Sequence, residues 1–279
     1  YHVPEIESPY DGFGDFEEGI AAYAFAQQHT AAALQANALP LILAGSHDVS
    51  IGTVSAALHH FGGDLAVLWI DAHADLNTPH TTPSGNLHGT PLAVLRGKPV
   101  GDEPFSETAV DQWKQLLDLS GPTYLQPNAL SWLGLRSVDP GEVTGMKNSP
   151  GCLPMTMAEV DTHGVPALLD RFEAWMHHHG HRRLWVSFDL DSCDPQVAPG
   201  TGTVVRGGLT YREAHLIAEW LGKKHDFDLV GVDVVEVNPL LDHSNSTAVF
   251  ATEWICSLFG KTILGGWNPT PVYPPSPEN

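Results

Sequence analysis

Apolar residues along this chain gather in short, β-branched runs that each end in polar residues, at 41–44, 65–70, 184–188 and 229–235. Runs of this length, bounded by polar clusters, fit strands buried on both faces. Between them, apolar positions recur at three- and four-residue spacing over 16–36, 49–61, 165–178, 211–221 and 247–259, the period of amphipathic helices. Strands alternating with helices predict an α/β fold with a parallel sheet covered on both faces. No internal repeat or low-complexity linker breaks the pattern, so a single domain over 1–279 is expected. Only the end departs from it. Pro269, Pro271, Pro274, Pro275 and Pro277 predict an extended surface arm over 265–279.

Charge narrows the choice of partners. Thirteen Lys and Arg against 33 Asp and Glu give a net charge of −20, a field that repels nucleic acid and anionic membranes and suits a cationic small molecule. A solvated acidic surface accounts for much of that excess. No apolar run reaches bilayer length, and residues 1–9 lack a signal-peptide pattern, so a cytoplasmic location is expected. Cys152, Cys193 and Cys256 are too few and too scattered for a disulfide framework or a thiolate metal site.

The polar strand ends carry the candidate chemistry. After the 65–70 run comes Asp71-Ala72-His73-Ala74-Asp75, and the two-residue period of an extended chain would put all three polar side chains on one face. Carboxylate with imidazole, without thiolate, favours Mn²⁺ or Zn²⁺. A second run ends in Asp189-Leu190-Asp191, which alone would fit turn-capping equally well. The first run ends in Ala44-Gly45-Ser46-His47, where the glycine permits a turn; His47 alone would fit a cap or a packed side chain. Carboxyl ends of parallel strands share one sheet edge, so the clusters can meet there. Four carboxylates and two imidazoles at one edge cannot stay ionised without cations, and two divalent metals resolve the conflict.

These blocks, with Ser187-Phe188-Asp189-Leu190-Asp191-Ser192-Cys193-Asp194-Pro195 and Gly208-Leu209-Thr210-Tyr211-Arg212-Glu213, resemble the signatures of the ureohydrolases, the arginases in particular, over residues 41–260. The resemblance implies a three-layer α/β/α sandwich around a mostly parallel eight-stranded sheet, assembled as a homo-oligomer, a trimer or hexamer. It implies two Mn²⁺ per subunit, one on His47, Asp71, Asp75 and Asp189 and the other on His73, Asp71, Asp189 and Asp191, with Asp71 and Asp189 bridging. Asn77, Thr82, Ser84 and Asn86 would hold the α-carboxylate of L-arginine, Asp139 with Glu142 its α-amino group, and Glu236 its guanidinium, with Thr203 nearby. His88 would shuttle protons, making His88, Glu236 and Asp75 the catalytic candidates. The implied reaction is attack of metal-bridging hydroxide on the guanidinium carbon, giving L-ornithine and urea.

Some positions depart from the pattern. Ser46 and Asp48 flank His47 where the family usually reads Asp and Ser, and Ser137 replaces an acid common in arginases. These departures leave open hydrolysis of agmatine, guanidinobutyrate or formiminoglutamate, or a catalytically silent binding subunit. His177-His178-His179-Gly180-His181 reads as a polar helix end, with metal storage as the alternative.

Overall fold

The structure, a computed structural model, describes residues 11–263. In chain order its elements are α1 (Phe16–Gln35), β1 (Leu41–Leu43), α2 (Ser50–Phe61), β2 (Leu65–Ile70), α3 (Pro91–Leu95), α4 (Glu107–Ser120) and β3 (Leu130–Leu135). There follow α5 (Pro140–Lys147), β4 (Leu153–Thr156), α6 (Met157–His179), β5 (Arg183–Asp189), α7 (Tyr211–Leu221), β6 (Asp228–Val235) and α8 (Ser246–Leu258). The strands pair in parallel in the order β1-β6-β5-β2-β3-β4. The expected parallel α/β sandwich is present; the family resemblance implied eight strands, and the described residues carry six. The proline-rich stretch expected as an arm lies outside the described residues.

Strand β2 shows how the three layers arise. Its six residues are all buried, and successive side chains point to opposite faces. Leu65, Val67 and Trp69 join Tyr23, Val54, Leu92 and Trp113 from α1 to α4 in one core. Ala66, Leu68 and Ile70 join Phe172, Ala218 and Trp254 from α6 to α8 in the other. Truncating a side chain such as Leu68 to alanine would cost about 2–5 kcal/mol.

Two strands had no signal in the hydrophobic pattern. Ser131 and Gly134 interrupt β3, while β4 is four residues long and contains Pro154, which a strand tolerates at a sheet edge. Helices α6 and α7 begin at capping boxes, Thr156 with Glu159 and Thr210 with Glu213, each hydroxyl accepting the N–H three residues on. Gly164, at φ 74°, breaks α6 just before the helical run that begins at Val165. No helix among the described residues is long and apolar enough to cross a membrane.

The strand order positions the site. Strands β1, β6, β5 and β2 are consecutive neighbours, so their four carboxyl ends form one continuous edge.

Candidate metal centre and substrate cavity

Each cluster enters the site through a break in regular structure at a strand tip. Strand β2 stops at Ile70, so Asp71, His73 and Asp75 do not share the face of an extended strand, as the two-residue period suggested. They converge through a bend instead, in which Asp75 takes a left-handed φ of 51°. Asp189 is the last residue of β5 and Asp191 lies in the following 3-10 turn, whose first N–H groups include the Asp191 amide, bound to Asp189 Oδ1 at 2.7 Å. His47 opens a 3-10 turn after β1, and Glu236, at φ 67°, follows β6. Left-handed backbone at two non-glycine residues is strain that the surrounding hydrogen bonds hold in place.

Two overlapping donor groups result. His47 Nδ1 lies 3.1 Å from Asp71 Oδ2, 3.2 Å from Asp75 Oδ2 and 3.0 Å from Asp189 Oδ2. His73 Nδ1 lies 3.4 Å from Asp71 Oδ1 and 3.1 Å from Asp191 Oδ2. His47, Asp71 and Asp75 form one potential ligand set and Asp71, His73 and Asp191 the other, with the donor atoms of each within 4.8 Å of one another. Asp71 therefore offers one oxygen to each group. Asp189 offers Oδ2 to the His47 group while its Oδ1 accepts the Asp191 amide.

The electrostatics favour cations. All four aspartates are buried. Burial and the neighbouring carboxylates push Asp75 and Asp189 well above the ordinary carboxylate range. Burial acts the same way on Asp71, yet the two imidazoles beside it hold it below that range. Burial opposes charge on His73 as well, but Asp191 and Asp71 drive it up to about 12. His47 is likewise raised, its burial outweighed by Asp189, Asp71 and Asp75. The buried carboxylates that raise both imidazoles would equally attract divalent cations, and oxygen with imidazole nitrogen is a donor set that such ions as Mn²⁺ accept.

Residues behind the donors aim them. Trp69 stacks on His47 with ring centroids 3.8 Å apart, and its indole N–H donates to Asp71 Oδ2 at 2.8 Å. His47 Nε2 lies 2.9 Å from Ser187 Oγ, which donates to the buried Asp233. Asp233 Oδ2 also accepts from Trp185, Thr53 and Ser50. Burial raises Asp233 to about 6 despite these donors. A Cβ at Gly231 would run into the Trp185 ring, so only glycine leaves room for the indole. The sequence pattern singled out neither Ser187 nor Asp233, although a lone acid within the apolar 229–235 run was a signal that could have been read.

A cavity of about 140 Å³ opens over the donors. Asn77, Thr82, Ser84, His88, Ser137, Asp139, Glu142, Thr203 and Glu236 line it together with His47, His73, Asp75 and Asp189. Asn86, grouped with the carboxylate-binding candidates from sequence, lines a neighbouring cavity with Asp48 and Tyr23 instead. Thr203 Oγ1 donates to Asp191 Oδ2 at 2.7 Å. Asn77 Nδ2 donates to Asp139 Oδ2 at 2.9 Å. Both oxygens of Glu142 are already taken, by the amides of Leu76 and Asp139, so Glu142 ties the 76–84 loop to α5. Burial lifts Glu142 and Glu236 to about 7, and burial lowers His88 below the usual histidine range.

Comparison with known proteins matches this geometry to a family. The family model described as "Arginase family" matches residues 13–260. The chain belongs to the arginase family. An arginase of Staphylococcus aureus strain MRSA252 is 34% identical over 262 residues, covering 94% of this chain and 81% of the relative. The crystal structure of Bacillus subtilis arginase superposes with a TM-score of 0.79 at 36% identity, covering 89% of this chain and 80% of that one. Native Bacillus caldovelox arginase gives a TM-score of 0.80 at 33% identity, covering 94% and 83%. As a member of the arginase family, the chain is a hydrolase of guanidino compounds.

Proposed function

We propose that this arginase-family chain hydrolyses L-arginine to L-ornithine and urea, using two Mn²⁺ held by His47, Asp71, His73, Asp75, Asp189 and Asp191. The observation that carries this reading is Asp71, whose two oxygens face two separate histidine groups beneath the cavity. When bound, the ion pair would supply Lewis acidity and make water nucleophilic near neutral pH. Asp75 would hold its share of the charge on the His47 side.

The remaining residues orient substrate and move protons. Glu236 would pair with the guanidinium through a charge-assisted contact, keeping the carbon over the donor groups. A guanidinium brought beside it favours ionisation of a carboxyl that burial holds near neutral pH. Asp139 would receive the α-amino group, while Asn77, Thr82 and Ser84, neutral and at the cavity wall, suit the α-carboxylate. Asn86 would act only if the rim moved towards it. His88, on the same wall, would carry a proton to the departing amine, because an imidazole exchanges protons readily near neutral pH. Thr203 would fix the Asp191 carboxylate. A cytoplasmic, homo-oligomeric single-domain enzyme completes the proposal and rests on the family relationship.

The deciding experiment compares urea release from arginine and agmatine after loading with Mn²⁺. Preference for arginine is expected; preference for agmatine would replace arginase by agmatinase. Retention of less than about one manganese per chain, with no urea released, would instead indicate a silent binding subunit.

A further inference from the structure

Arg136 makes an unusual set of contacts outside the donor groups. Its guanidinium hydrogen-bonds to main-chain oxygens, while Asp191, Asp71 and Asp194 act on its charge through space. Nη1 donates to the main-chain oxygens of Gly134 and Ser192 at 3.3 and 3.0 Å. Nη2 donates to those of Asp191, Cys193 and Val205 at 2.6, 3.2 and 2.8 Å. A Cβ at Gly208 would lie 2.6 Å from Nη2, so the backbone leaves room for this fork. Carbonyls of a tight turn cannot pair within it and need outside donors; a planar group with several N–H bonds can satisfy many at once.

The main chain of the same residue reaches the other side of the site. The amides of Arg136 and Ser137 both donate to Ala72 O at 3.0 Å, between Asp71 and His73. Ala72 N in turn points at Asp191 Oδ1, 3.4 Å away. One residue therefore ties together the turn bearing Asp191, the bend bearing Asp71 and His73, and the loop bearing Thr203. Of these, the Asp191 turn serves the second donor group, the bend carries Asp71 shared by both, and Thr203 holds Asp191. None of these contacts reaches the β1 turn that carries His47.

We propose that Arg136 is a positioning residue whose guanidinium sets the Asp191 turn, and through it the second metal position, against the Asp71–His73 bend so that their donors converge. The proposal rests on the two-ion reading above. Its cost is a fixed positive charge near two cations, which carbonyl oxygens attenuate; their geometric gain outweighs it because ligand convergence governs affinity.

The test separates the two positions in the full chain. His47→Asn leaves the second group, and His73→Asn leaves the first. Adding Arg136→Lys keeps the charge but replaces the planar fork by a point charge. Manganese titration calorimetry should show roughly 10- to 100-fold weaker binding when Arg136→Lys is added to His47→Asn, and a change under about threefold when it is added to His73→Asn. In the otherwise unchanged protein, Arg136→Lys should lose the spin-coupled two-manganese signal in electron paramagnetic resonance at concentrations that saturate the parent. Equal weakening in both backgrounds, or none in either, overturns the proposal, the first by making Arg136 a general structural brace. An unsubstituted chain that takes up only one ion overturns the two-ion reading itself, a result distinguishable before any Arg136 variant is measured. Should Arg136→Lys prove too unstable, Val205→Pro is uninformative because it keeps the carbonyl, so Arg136→Gln serves as the second variant with the same expected split.

Discussion

The main-chain N–H of His47 donates to Glu236 Oε1 at 2.8 Å, joining residues 189 positions apart. The bond crosses from the tip of β1 to the tip of β6, its neighbour in the sheet. It holds a carboxylate beside the donor groups without making it one of them, and so separates the residue proposed to orient substrate from those proposed to hold metal.

Glu236→Gln should therefore damage substrate handling and spare the metal. The amide oxygen can still accept from His47, but the charge opposite a guanidinium is gone. A charge-assisted hydrogen bond contributes about 1.5–3 kcal/mol, so kcat/KM for arginine should fall roughly 10- to 100-fold. Steady-state kinetics beside a metal assay decides it, and an unchanged kcat/KM would remove Glu236 from the reading.

Asp71→Asn should weaken both ions, whereas His73→Asn should weaken one. Asp71 faces His47 with Oδ2 and His73 with Oδ1, so its loss is felt on both sides. Loss of an outer partner of a ligand already costs 10- to 100-fold in affinity, so loss of the shared one should cost at least about 100-fold at each position. Elemental analysis after dialysis should give close to zero and one equivalents; two equivalents on Asp71→Asn would refute the sharing.

Glu142 should give the fold a pH dependence. Its folded-state pKa, raised to about 7 by burial, exceeds the ordinary 4.5, so between those values the folded chain holds the proton more tightly. That contribution is complete below pH 4.5 and disappears as pH rises through 7. Glu142→Gln does not titrate and leaves one of the two amides, Leu76 or Asp139, without its acceptor, so it should be less stable at low pH. The gap to the parent should narrow by up to roughly 3 kcal/mol between pH 4.5 and 7. Urea unfolding of both proteins with metal chelated measures it; parallel stability curves would contradict the assignment.

Period and composition alone made four strands and five helices legible, because an apolar strand buried on both faces reads as a continuous run. Strands β3 and β4 were not, since Ser131 and Pro154 stand in them for reasons only their neighbours supply: Ser131 Oγ donates to Leu153 O, and β4 closes the sheet edge. All six metal candidates could be named from two acidic strand ends and one histidine. The route by which they meet could not, because a bend at Asp75 replaced the extended chain that the spacing suggested.

By itself the sequence determined residue chemistry and period: which segments are apolar enough to be buried, and which acids and imidazoles stand at their ends. Strand order, not spacing, decided that β1, β6, β5 and β2 lie side by side, and hence that His47, Glu236, Asp189 and Asp71 share one edge. It also decided that Asn86 faces a different cavity and that Glu142 is bound to backbone amides. The physical reason is range. Side-chain periodicity reports only on neighbours a few residues away, whereas contacts such as His47 N–H to Glu236 and Leu76 N–H to Glu142 join residues 189 and 66 positions apart, a distance over which only the folded backbone carries information.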